Sequence, residues 1–172
     1  MNTKTITIET LFGTETLTVK RKPITFRRIR AVMETMTVRE EVAEYLPADR
    51  RYTAPAQVGE IFSFLRCEVK EHFFTMHLDG KNRIICLDLV SIGSLNQSIV
   101  HPREVFKTAL LTASAGLICV HNHPTGDPNP SSEDIAITRR LKEAGDIIGI
   151  ALLDHIIIGS PDIFSFAERS LL

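Results

Sequence analysis

The chain has 172 residues, 44% of them hydrophobic, and a formal net charge of −1 at pH 7. Those values fit one globular domain with a modest extension and exclude a collagen-like chain, a disordered chain, or one that binds polyanions as a whole. No apolar run approaches the ~18 residues that a membrane span needs. The first residues lack a charged start followed by an apolar stretch, and the three cysteines, Cys67, Cys86 and Cys119, stand far apart with no CxxC pair, so a reducing cytoplasm is the expected setting.

Charge is uneven along the chain. Residues 1–30 hold seven of the 20 basic residues (Lys4, Lys20, Arg21, Lys22, Arg27, Arg28 and Arg30) and two of the 21 acidic ones (Glu9 and Glu15), a net +5 that leaves −6 for the rest. A basic segment can mark nucleic-acid contact; a solvated helix face and strand edge is the plainer reading. "KTITIET" and "ETLTVKRK" alternate β-branched and polar residues on either side of "LFGT" and predict a β-hairpin. "TFRRIRAVMETM" and "TVREEVAEYL" predict two short helices, each opened by a threonine. "PADRRYTAP" is polar and aperiodic with two prolines and reads as a linker. It divides an N-terminal extension, residues 1–54, from a main domain, residues 55–172.

In the main domain, "PAQVGEIFSFLR" places Val58, Ile61, Phe62 and Leu65 at helical spacing behind Pro55. "EHFFTMHLD" and "NRIICLDLVSIG" are strand-like runs joined by the turn "DGKN". "PREVFKTALLTAS" predicts a helix begun by Pro102, with Val105, Ala109 and Leu110, together with Phe106, as its buried stripe. "GLICV" suits a buried central strand. "SSEDIAITRRLKEAG" predicts a helix with a serine cap and a glycine stop, and "IIGIALLDHIIIG" a long strand. Strands and helices alternate, which predicts an α/β fold: a three-layer sandwich around one sheet.

The polar segment "HNHPTGDPNPSSEDIAIT" follows the apolar run "GLICV" directly. Residues i and i+2 of a strand point to one side, so His121 and His123 are expected side by side at a strand's carboxyl end, where ligands collect in open α/β sheets. Pro124 favours an extended His123. The next helix starts at Ser131 or Ser132, with Asp134 in its first turn, where the helix dipole stabilises a carboxylate. Ser131 and Asp134, three apart, can face the same way. Two imidazoles and a carboxylate are the three protein ligands of a catalytic zinc site, whose fourth position holds water; Fe(II) and Mn(II) accept the same donors. Each residue alone has a plainer role: a hydrogen-bonding histidine, a helix cap, a first-turn charge. The combination His–x–His–x7–Ser–x2–Asp is much more specific.

That spacing resembles the signature of the JAMM (MPN-type) metalloproteases. "LDGKNRII", "HPREVFKTAL", "HNHPTGDPNPSSEDIAITRRL" and "LLDHIIIG…FSFAER" look like the RadC branch of that family, over roughly residues 55 to 170. The resemblance implies a JAB-type fold, a zinc ion held by His121, His123 and Asp134 with water as fourth ligand, and hydrolysis of a peptide or isopeptide bond. It also implies an upstream glutamate as general base, at Glu71 in "EHFFTMHLDGKN". Glu68 and Glu104 are the other acidic candidates; a solvated helix end and a first-turn charge describe them better. In such chemistry the zinc ion brings the pKa of its water to ~7, Glu71 carries the proton, and the Ser131 hydroxyl helps hold the developing oxyanion.

Other residues carry structural readings. Asp154 and His155, polar in an apolar strand, need partners; they are either a satisfied core pair or support for a metal ligand. Cys119 reads as a small buried hydrophobe. His72, His77 and His101 lack a companion at ligand spacing and read as structural or exposed. Zinc deaminases join HxE to PCxxC, and neither is present. Longer RadC proteins carry a helix–hairpin–helix region associated with DNA, a pattern that residues 1–54 do not show. The rival function is a DNA-associated accessory protein, in DNA repair or a mobile element, with a structural or vestigial zinc site and the basic N-terminal segment as its working part.

Overall fold

The structure, a computed structural model, describes residues 3–10, 13–20, 32–34, 49–93 and 100–172. The chain divides into two compact units, Met1–Glu34 and Thr35–Leu172. The first contains the hairpin that the sequence predicts: β1 (Thr3–Thr10) and β2 (Gly13–Lys20) pair antiparallel from Thr3 with Lys20 to Thr10 with Gly13. Of the two short helices expected next, residues 32–34 are described and have no regular structure; the remainder lies outside the described residues.

The second unit holds α1 (Pro55–Ile61), a 3-10 turn (Ser63–Cys67), β3 (His72–Leu78), β4 (Ile84–Ile92), α2 (Pro102–Leu111), β5 (Gly116–Asn122), α3 (Ser132–Ile148), β6 (Ala151–Ile158) and β7 (Ile163–Ser165). Its sheet has the order β4-β3-β5-β6-β7. Only β5 and β6 run parallel; the other neighbours are antiparallel. It is the mixed sheet of an α/β sandwich. The central strand β5 is buried at every position, as a continuous apolar run requires when helices cover both faces.

Alternation along the strands sorts the core into two layers. On one face, Val58, Ile61, Phe62 and Leu65 pack on Met76, Leu78, Ile118, Val120, Ile156 and Ile158. All four of those helical residues are at most 4% exposed, and burying each contributes about 1.5–3 kcal/mol relative to exposure. On the other face, Val105, Phe106, Ala109 and Leu141 from α2 and α3 cover Phe73, Leu117, Cys119 and Leu152.

Two expectations are corrected. Leu110 is 62% exposed. At about 100° per residue it lies about 140° round the helix from Val105, outside the arc that Val105, Ala109 and Phe106 bury. The helix after residue 131 does not stop at Gly145 but runs on to Ile148, so Ile147 and Ile148 are helical and β6 begins at Ala151. The cap is Gly149, left-handed at φ 79, a conformation that favours glycine. The expected linker makes backbone bonds to the segment just before β4. Arg51 bridges to Arg83, Tyr52 N–H donates to Asn82 O at 2.8 Å, and Ile84 N–H to Arg50 O at 3.0 Å. The residues just before the expected boundary at 54 thus bond to the turn that opens β4.

Candidate metal centre

β5 delivers His121 on the same face as Leu117 and Cys119, toward α3. His123 continues the line, since its N–H donates to Ile158 O at 3.1 Å and carries the pairing with β6 past the end of β5. Asp134 is the third residue of α3, capped by Ser131. The strand, the turn and the helix therefore bring all three side chains to one point. His121 Nε2 lies 3.1 Å from His123 Nε2 and 3.2 Å from Asp134 Oδ1, and His123 Nε2 lies 3.4 Å from Asp134 Oδ2. Their ligand atoms all fall within 4.8 Å of one another, and among the described residues this is the group able to hold a metal ion.

Hydrogen-bond polarity tells which atoms carry protons. Thr138 Oγ1 donates to the Asp134 carbonyl at 2.6 Å, so its hydrogen is committed. His155 Nδ1, 2.6 Å from Thr138 Oγ1, must then donate to that hydroxyl oxygen. His155 is fully buried; burial, then the charge of His121, lower its pKa well below 6.5, so it stays neutral and its Nε2 keeps a lone pair. That lone pair receives the Nδ1 hydrogen of His121 at 2.9 Å. His123 Nδ1 faces the Asp127 carbonyl at 2.7 Å and must also be protonated. With Nδ1 holding the hydrogen, each ring in its neutral form presents a bare Nε2 inward beside the Asp134 carboxylate, whose Oδ1 is buried with no hydrogen-bond partner among the described residues. Three converging lone pairs repel unless a cation lies between them. A zinc ion fits this donor set.

Where no ion is present, a proton held between His123 and Asp134 takes the place of the cation. The hydrogen bond to Asp134 raises the pKa of His123 against the lowering effect of burial, and Asp127, the charge of Asp134 and that of Glu71 add to the rise. Burial on its own pushes the Asp134 carboxyl up, but hydrogen bonds from His121 and His123, the charge of His121 and the Ser131 bond outweigh it and hold the group well below the carboxylate range. The site therefore favours positive charge at its centre. Ring packing sets the geometry: Phe73 stacks on His121 at 5.9 Å, and Phe166 stacks on His155 at 5.1 Å.

Glu71 immediately precedes β3 and lines a small pocket with Phe73, Ser91, Gly93, Val100 and His121. Ser131 is the helix cap: its Oγ accepts the Asp134 N–H at 3.1 Å and donates to Asp134 Oδ2 at 2.6 Å, while its own N–H donates to Oδ2 at 2.7 Å. Glu68 is exposed and 4.0 Å from His72. Glu104 is a first-turn charge paired with Lys107 at 2.8 Å. Of the other histidines, His101 caps α2 through Nδ1, His72 contacts the Lys70 carbonyl, and His77 is buried against Thr75. Cys119 is buried, which pushes its thiol pKa up. Arg21, Lys22, Arg27, Arg28 and Arg30 of the basic segment lie outside the described residues.

Two long-range contacts buttress the site. His155, itself bonded to Thr138, contacts the candidate ligand His121, while Asp154 is a satisfied core group bonded to Ser165, Ala167 and the His155 N–H. Asn122, between the two ligands, bonds the chain on either side of Glu71. Neither contact has a local signature, because each joins segments more than 30 residues apart.

A sandwich with one histidine near the end of its central strand and another just beyond it, answered by an aspartate at the next helix start, defines a JAB-type domain with a candidate metal site. The family model described as "RadC-like JAB domain" matches residues 52–171, and the chain belongs to that family. It is 62% identical over 123 residues to a UPF0758 protein of Pelobacter propionicus, covering 71% of this chain and 54% of the relative. It is 52% identical over 145 residues to a UPF0758 protein of Geobacter sulfurreducens, covering 84% and 63%. With a UPF0758 protein of Methanosarcina mazei the identity is 50% over 124 residues, covering 72% and 54%. The chain thus spans little more than half the length of these relatives. No helix among the described residues is long and apolar enough to cross a membrane.

Proposed function

We propose that this protein is a zinc-dependent hydrolase that cleaves peptide or isopeptide bonds. The observation that carries the reading is the buried Asp134 carboxylate, its Oδ1 without a hydrogen-bond partner among the described residues, set against the Nε2 atoms of His121 and His123. His121, His123 and Asp134 would hold the ion. A zinc ion bound there supplies Lewis acidity, making water nucleophilic near neutral pH and polarising the carbonyl under attack. Glu71 is the base that takes the proton of the attacking water and hands it to the leaving amine. Ser131 contributes its hydroxyl to the developing oxyanion. Turning that hydrogen away from Asp134 Oδ2 is feasible because Oδ2 keeps the Ser131 N–H at 2.7 Å. Losing such a donor costs ~10²–10³ in rate.

The test pairs metal analysis with a quenched peptide library and isopeptide-linked substrates. The expected result is hydrolysis by the zinc-loaded chain that a chelator stops and zinc restores, with Glu71→Gln keeping the metal and losing turnover. Full activity of Glu71→Gln would remove the base assignment; hydrolysis that ignores the chelator would remove the zinc mechanism.

A further inference from the structure

The residue between the two histidine ligands looks like a spacer, yet Asn122 is 1% exposed. Its Oδ1 accepts the His72 N–H at 2.8 Å. Its Nδ2 donates to the Lys70 carbonyl at 3.0 Å and approaches that of Glu68 at 3.5 Å. Main-chain partners of opposite polarity settle which end of the amide is which. The last backbone pair between β3 and β5 joins Phe73 to His121. Beyond it the Asn122 amide serves as the next rung and grips the chain on both sides of Glu71. Continuing the antiparallel register brings Glu71 opposite His123. From the other side, the Glu71 carbonyl accepts the Gly93 N–H at 2.9 Å.

We infer that Asn122 is the positioning residue for Glu71: its two-ended amide fastens the Lys70–His72 backbone to the strand carrying the metal ligands. Base and ligands then keep one fixed spacing. The inference rests on the role of Glu71 proposed above. The chemistry needs both ends of the amide. An aspartate at 122 retains the acceptor for His72 but sets a carboxylate against the Lys70 carbonyl, and an alanine offers neither bond.

The test uses the full zinc-loaded chain as wild type, Asn122→Asp, Asn122→Ala, Glu71→Gln and the Asn122→Asp/Glu71→Gln double variant. Three quantities are read: zinc stoichiometry, amide hydrogen exchange at His72, and kcat and KM on a peptide that the wild type hydrolyses. In Asn122→Ala, His72 exchange should speed up by about tenfold. In both single Asn122 variants zinc stoichiometry and KM should hold while kcat falls by about 10- to 100-fold. In the Glu71→Gln background the Asn122 change should have almost no further effect. An equal loss in both backgrounds, or an undiminished kcat in Asn122→Ala, overturns the inference. So does unchanged His72 exchange in Asn122→Ala, which needs no activity to read. If Asn122→Ala fails to fold, the near-isosteric Asn122→Asp carries the kinetic test. A folded, zinc-loaded wild type that cleaves nothing instead overturns the hydrolase reading and the role of Glu71 with it.

Discussion

The hydrogen-bond chain behind His121 makes a quantitative prediction. His155→Phe keeps a ring that can stack on Phe166, now at 5.1 Å, and contact Phe73, now at 5.4 Å, but it removes both nitrogens. The Nδ1 hydrogen of His121 then faces carbon in a site with no exposure to water. Leaving such a donor unsatisfied costs about 1–3 kcal/mol. His121 escapes that cost in the metal-free protein by moving its proton to Nε2, where Asp134 Oδ1 accepts it. Zinc binding must reverse the move, so the same free energy is subtracted from affinity, and zinc should bind about 10- to 100-fold more weakly. Competition with a chromophoric chelator at fixed pH measures this directly, with the thermal midpoint recorded alongside. His155→Gln places an amide oxygen near the position of Nε2 and should recover most of the loss. A folded His155→Phe protein that binds zinc as tightly as wild type would refute the tautomer argument.

Three further outcomes are expected. Asp134→Asn keeps an oxygen for the Ser131 N–H but removes the charge, so zinc by elemental analysis should drop from about one per chain to near none with circular dichroism unchanged; full zinc retention would count against Asp134 as a ligand. Gly145→Ala would set a Cβ 2.5 Å from the Ile150 carbonyl and 3.2 Å from the Phe106 ring; despite the ~1 kcal/mol helix advantage of alanine, urea unfolding should show a loss of about 1–3 kcal/mol, and a gain would contradict this packing. His77 is pulled down from 6.5 to about 4, chiefly by burial, with the Asp88 charge opposing. The unfolded chain therefore takes the proton first, and stability is full above about pH 6.5 and is lost as pH falls toward 4, by up to about 3 kcal/mol. His77→Gln should flatten that slope in denaturant titrations; an identical slope would mean that His77 does not titrate as described.

What could be read from the sequence was whatever is local. His121, His123 and Asp134 lie on one strand–turn–helix connection, so spacing alone suffices to bring them together. Alternation likewise marks β3 and β5, and helical spacing marks Val58 through Leu65. Leu110 escaped because apolar character does not say how wide the buried arc is. A glycine can end a helix or permit close packing inside one; at 145 the Ile150 carbonyl and the Phe106 ring need its bare Cα, and Gly149 makes the turn. The support of His121 by His155 depends on a register shift between Leu117 and Ile118 in their pairing with β6. That irregularity lets Leu152 and His155, three residues apart, both serve the α3 side, contrary to simple alternation. Asn122 was invisible because its partners are backbone atoms, which any residue at 70 and 72 would supply.

Zinc K-edge X-ray absorption on the zinc-loaded chain tests the central claim most directly. The expected spectrum shows two imidazole nitrogens at about 2.0–2.1 Å with oxygen completing about four ligands and no sulfur, despite Cys119 two residues from His121. A sulfur shell near ~2.3 Å, fewer than two imidazoles, or failure of the folded protein to take up the ion would contradict it.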